Sequence, residues 1–117
     1  MKNWMKGTVL AVLAFSTPVL AKDAPLADAA LSAGNYQLAV VQLERAGAGQ
    51  SNDPAQLINL GQAYLNLGET RHAETLFRAA LISFNRYDIV LANGTVVDSR
   101  ELAQRALNQL SSRYVSR

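Results

Sequence analysis

The sequence predicts a mostly α-helical chain: helical hairpins stacked as a short solenoid, then a small β-hairpin and a C-terminal capping helix. Three observations lead there. Slid along itself, the sequence repeats, so that Leu31 meets Leu65, Gly34 meets Gly68, Ala39 meets Ala73, Leu43 meets Phe77 and Ala46 meets Ala80. Within the second copy, apolar residues recur at three- and four-residue steps, the period of a helix with one buried face. The one stretch that alternates instead, 87–97, holds Asn93-Gly94, the strongest short-range hairpin signal.

The first element is expected to be removed. Lys2 and Lys6 precede the apolar run 7–15, GTVLAVLAF, and STPVLA (16–21) places Val19 and Ala21 at small-residue cleavage positions. That is the secretory pattern, with cleavage between Ala21 and Lys22. A membrane span needs ~20 apolar residues, and Pro18 interrupts this run too early. Lys2 and Lys6 leave with the leader, so the eleven basic side chains fall to match the nine acidic ones. A neutral mature chain carries no nucleic-acid footprint and no polybasic membrane patch. With no cysteine, neither a disulfide nor a lipidated N-terminal cysteine can form. The expected location is the periplasm or the exterior, with no stable membrane anchor after cleavage.

Residues 22–86 hold the repeats, the first copy partial and the second at about 53–86. The first copy has a short helix near Pro25 and a second at about 35–46, followed by the loop GAGQSN (47–52). In the second copy Asp53, Pro54 and Gln56 read as an N-cap, a proline at the first helical position and a capping-box partner. Leu57, Leu60, Gly61, Tyr64 and Leu65 then share one face. Gly61, lying on that face, lets the next helix approach closely, with Phe77 or a nearby residue expected to fill the space; a leucine there is expected to overpack and an alanine to be much milder. Gly68 suits the left-handed residue that ends a helix. The following helix is expected over 70–84, burying Ala73, Leu76, Phe77, Ala80, Leu81 and Phe84 and wetting Arg71, Glu74 and Arg78.

A third copy does not follow, because Leu102 and Leu107 fall where glycine and alanine are needed. Tyr87, Ile89 and Leu91 are expected on one side of a hairpin over 87–97, with Val96 and Val97 returning. Asn93-Gly94-Thr95 also has the pattern of an N-glycosylation acceptor, which the turn explains without a glycan. Asp98 and Glu101 cap a final helix, 98–117, with Leu102, Ala103, Ala106, Leu107, Leu110 and Tyr114 inward. Arg100, Gln104, Arg105 and Gln109 supply the polar outer face that a stack of repeats needs at its end.

The motif Leu57-x-x-Leu60-Gly61-x-x-Tyr64, followed by Ala73-x-x-x-Phe77-x-x-Ala80, resembles the tetratricopeptide-repeat (TPR) family. The step from Gly34 to Gly68 matches that family's period. Leucine stands in place of the tryptophan that often begins the family's pattern, and Asn85 in place of its closing proline. The resemblance implies a binding module whose first helices line a concave groove for a peptide or partner helix. The groove positions are Ala55, Ile58, Asn59, Gln62, Leu65 and Asn66, unless Ile58 and Leu65 merely pack against an adjacent helix. Some family members clamp a C-terminal carboxylate there with lysine, arginine and asparagine. Here Asn59 is present, but Ile58 and Ala55 occupy the basic positions, so an apolar or amide-mediated contact is expected.

Catalysis is not expected. His72 is the only histidine, without a second histidine or a cysteine to share a metal, and reads as a surface residue. There is no nucleophile motif and no phosphate loop. No cofactor and no metal are therefore expected. The function the sequence supports is a periplasmic adaptor in envelope protein assembly or secretion, binding a protein or peptide. The alternatives are a self-associating structural protein, through the open N-terminal end, and an enzyme or metal site centred on His72.

Overall fold

The structure, a computed structural model, describes residues 25–116 and the side-chain surroundings of 29–112; the expected leader, 1–21, and the Tyr114 side chain lie outside these limits. The described residues are mostly helical with a small two-stranded antiparallel sheet. Five helices follow in order: α1 (Pro25–Ser32), α2 (Tyr36–Arg45), α3 (Pro54–Asn66), α4 (Thr70–Ile82) and α5 (Ser99–Ser116). A 3₁₀ turn, Ala48–Gln50, follows α2, and strands β1 (Asp88–Val90) and β2 (Val96–Asp98) lie between α4 and α5. Each helix packs on the next. None of the described helices is long and apolar enough to cross a membrane.

The turn from α1 to α2 and the turn from α3 to α4 have the same hydrogen bonds. Gly34 N donates to Leu31 O at 3.1 Å and Asn35 N to Ala30 O at 2.9 Å; Gly68 N donates to Leu65 O at 3.0 Å and Glu69 N to Tyr64 O at 2.9 Å. Each pair is a Schellman cap, which satisfies carbonyls that a helix end leaves bare. The cap needs a left-handed residue, and Gly34 and Gly68 have φ of 78° and 86°. Side chains start two of the helices. Asn35 Oδ1 accepts from Leu38 N at 3.3 Å, and Asp53 Oδ1 from Ala55 N at 3.1 Å. The expected box at Asp53 is altered: Asp53 N donates to Ser51 Oγ at 2.8 Å, not to Gln56.

One core runs through all the described elements, with Leu31, Leu43, Leu60, Phe77, Ile89 and Leu102 among its members. Phe77 lies over Gly61: a Cβ added there would stand 2.5 Å from Cε1 and 2.8 Å from Cδ1 of the ring. Phe77 thus fills the space left by the glycine, as expected. An alanine Cβ at Gly61 would press on the buried Phe77 ring, so the mildness expected of alanine relative to leucine requires that ring to shift.

Helix α4 ends two residues early. Ser83 turns extended, φ −61° and ψ 143°, and its hydroxyl donates to Asn52 O and accepts from Asn85 N at 3.1 Å. The Asn85 amide also donates to Asn52 O, at 3.2 Å. Ser83 and Asn85 thus form a polar tie to the loop between the helix pairs. Phe84 consequently leaves the buried stripe and stands 88% exposed. Leu81 is half-buried, while Ala73, Leu76, Phe77 and Ala80 are buried as expected.

The strands pair Asp88 with Asp98, Ile89 with Val97 and Val90 with Val96. Ile89, Leu91 and Val97 are buried; Tyr87, Val90 and Val96 face out, so Tyr87 does not share the inner side with Ile89. Its hydroxyl instead donates to the capping carboxylate of Asp53. Asp98 Oδ1 caps α5 by accepting from Arg100 N at 2.8 Å and Glu101 N at 3.3 Å. Leu102, Ala103, Ala106 and Leu110 point inward and Leu107 is half-buried. Arg100, Gln104 and Arg105 are exposed, but Gln109 is half-buried rather than part of an open polar face.

Candidate partner-binding surface

The groove positions lie on α3, the middle helix of the five. It packs against α2 on one side and α4 on the other, and also touches the 3₁₀ turn and α5. Being contacted from both directions, α3 is buried from Pro54 to Ala63 without a break. Ala55, Ile58, Asn59, Gln62 and Leu65 are all buried; Asn66 alone of the six is exposed. The expectation of a two-sided helix with an open groove face is therefore corrected. A three- and four-residue apolar period marks one buried face and is silent about a second.

Nor are the two amides a free pair. Asn66 Nδ2 donates to the backbone carbonyl of Gln62 at 2.9 Å. Gln62 holds the more unusual position. The residue is 7% exposed, and its Oε1, like those of Gln42 and Gln109, is buried without a protein hydrogen-bond partner. Sequence reasoning placed Gln62 on the right helix but could not foresee that its carbonyl is enclosed.

His72 is exposed and belongs to a cluster that joins three helices. Its ring stacks on Tyr64 with centroids 4.4 Å apart and planes 12° from parallel. Its Nδ1 lies 3.9 Å from Glu69 Oε1. The Tyr64 hydroxyl donates to Glu44 Oε2 at 2.7 Å, linking α3 to α2. Burial, the bond to Glu44 and the nearby Glu44 and Glu69 charges push the Tyr64 phenol up to about 12. These contacts account for His72 structurally. Among the described residues no three histidine, cysteine or acidic side chains converge as metal ligands.

A cleft of about 210 Å³ lies between α4 and α5, lined by Glu74, Arg78, Gln104 and Asn108 together with Leu81 and Leu107. Its polar groups satisfy one another: Arg78 pairs with Glu74 at 2.8 Å, and Gln104 Nε2 donates to Asn108 Oδ1 at 3.2 Å. Outside it, the most exposed large apolar side chains among the described residues are Phe84, Ile82 at 75% and Val96 at 58%. The sequence signal for the first two was the polar Ser83 and Asn85, which break the helical stripe. Comparison with protein-family models, curated proteins and solved structures gives no match to this chain.

Proposed function

We propose that residues 22–117 are an exported, TPR-like module of stacked helical hairpins that binds a protein or peptide, an adaptor in envelope assembly or secretion without catalysis of its own. The observation that carries the reading is the same Schellman cap recurring at Gly34 and Gly68, one period of that family's repeat apart. The close Gly61–Phe77 contact supports it at the position where the motif places its small residue.

Gln62 is the residue on which the binding role turns. Gln62 Oε1 shares its lack of a protein partner with Gln42 Oε1 and Gln109 Oε1, but Gln62 alone of the three lies on α3 among the groove positions, where a partner's N–H would reach it through the small exposed part of the residue. Gln62→Met keeps the unbranched length and removes the carbonyl. The variant should be at least as stable as the parent, by about 1 kcal/mol or more, and should capture less of whatever the purified exported protein retains from the envelope fraction. Lower stability with unchanged capture would reverse the assignment and make Gln62 a part of the fold.

A second reading, self-association near the N-terminal end, is favoured by Leu38 and Val41, one turn apart on α2 and 43% and 44% exposed. Gel filtration of Leu38→Gln with Val41→Gln separates the two. If self-association is the function, that pair dissociates an oligomer and Gln62→Met does not.

A further inference from the structure

The geometry points to Asn93 as a self-modifying site: in the folded hairpin its amide cyclises onto Gly94 and opens to a mixture of aspartyl and isoaspartyl residues. Asn93-Gly94 is the only asparagine–glycine pair in the chain. Glycine leaves the attacking nitrogen unshielded, and both residues are exposed.

The turn arranges the reacting groups. Gly94 N donates to Leu91 O at 2.8 Å, and Leu91 N to Thr95 O at 2.8 Å. The loop is therefore three residues long, Ala92 to Gly94, with only Gly94 left-handed at φ 89°. This is a type I turn closed by a bulge rather than a two-residue loop. Asn93 Oδ1 accepts from Thr95 N at 2.9 Å. That bond closes a ring containing both Asn93 Cγ and Gly94 N, so the side chain is folded forward over the peptide that attacks it. It also draws electron density from the side-chain carbonyl, and the same N–H stabilises the oxyanion formed on addition. The bond from Gly94 N to Leu91 O must open first. At the tip of two three-residue strands this is a local event, not an unfolding of the core.

The atoms balance with water alone. Gly94 N loses its proton and bonds to Asn93 Cγ; the Cγ–Nδ2 bond breaks and ammonia leaves with that proton. Water then opens the five-membered imide. Attack at Cγ gives aspartate, and attack at the backbone carbonyl gives isoaspartate, which routes the chain through Cβ and adds one backbone atom to the loop. Either product places a new carboxylate at the hairpin tip.

The test holds the full chain, folded and in urea, at mildly alkaline pH, and follows the peptide containing Asn93 by fragmentation mass spectrometry. In the folded protein this peptide should first lose the mass of ammonia and then gain that of water, with isoaspartate as one product. The other asparagines should be unchanged, Asn93→Gln should abolish the reaction, and urea should accelerate it less than about threefold. Persistence of Asn93, or acceleration by urea of threefold or more, would overturn the proposal and show that the Leu91 bond protects the turn.

Discussion

At Gly61 the difference between one hydrogen and one carbon is set by the buried ring lying directly over it. Helix propensity favours Gly61→Ala by up to ~1 kcal/mol, but the added Cβ would stand 2.5 Å from Phe77 Cε1. Overpacking costs about 1–3 kcal/mol, so alanine should destabilise in urea titration and leucine more so. A variant as stable as the parent would mean that Phe77 has a second site. A different single-residue effect arises at Tyr64. Its phenol rises from about 10 when unfolded to about 12 when folded, so this stabilisation is full below pH ~10 and disappears as pH climbs through about 12. Tyr87 shifts in the same direction through burial and its bond to Asp53. Thermal melts should therefore fall across this window, less steeply in Tyr64→Phe. The sequence showed that Gly61 faces a neighbour, because a glycine in the middle of an apolar helical stripe weakens the helix unless a close approach offsets the loss. It could not show the direction of the Phe77 ring or the enclosure of Gln62 Oε1, which depend on residues distant in the chain.

Helix starts and turns were legible because their determinants are local. Asp53-Pro54 begins α3, Gly34 and Gly68 end the helices before them, and Asp98 begins α5. The end of α4 was missed because its cause is not local: Ser83 and Asn85 bond to Asn52, more than thirty residues earlier. The tail is joined there and again at Ser99, whose hydroxyl accepts from Tyr87 N at 3.1 Å and whose N–H donates to Tyr87 O at 2.9 Å. Helix α5 packs on α4, with Leu81 facing Leu107 and Leu110 across their cleft, so deleting 98–117 should uncover Leu81 and increase hydrophobic-dye binding above that of the full chain. A cooperatively folded 22–97 fragment with unchanged dye binding would show that α5 does not cap the stack. Phe84 is no part of this readout, because it is exposed already.

For the molecule as a whole, mostly helical content and the small hairpin were readable from periodicity and turn residues, while the binding surface was not. A face belongs to a groove only if nothing else covers it, and coverage is a property of the assembled chain. Export is the prediction at this scale. If Lys2, Lys6, the apolar run 7–15 and the small residues Val19 and Ala21 act as a secretory leader, mass spectrometry of the exported protein should find Lys22 at the N-terminus. An intact Met1 would sink both the leader and the domain limits. The tie at Asn52 has a mechanical consequence. One backbone oxygen, in the loop between the two helix pairs, holds both Ser83 and Asn85, while Tyr87 grips the adjacent Asp53. A pull on the C-terminal helix therefore loads not only its packing on α4 but also, through Ser83, Asn85 and Tyr87, the joint between the pairs.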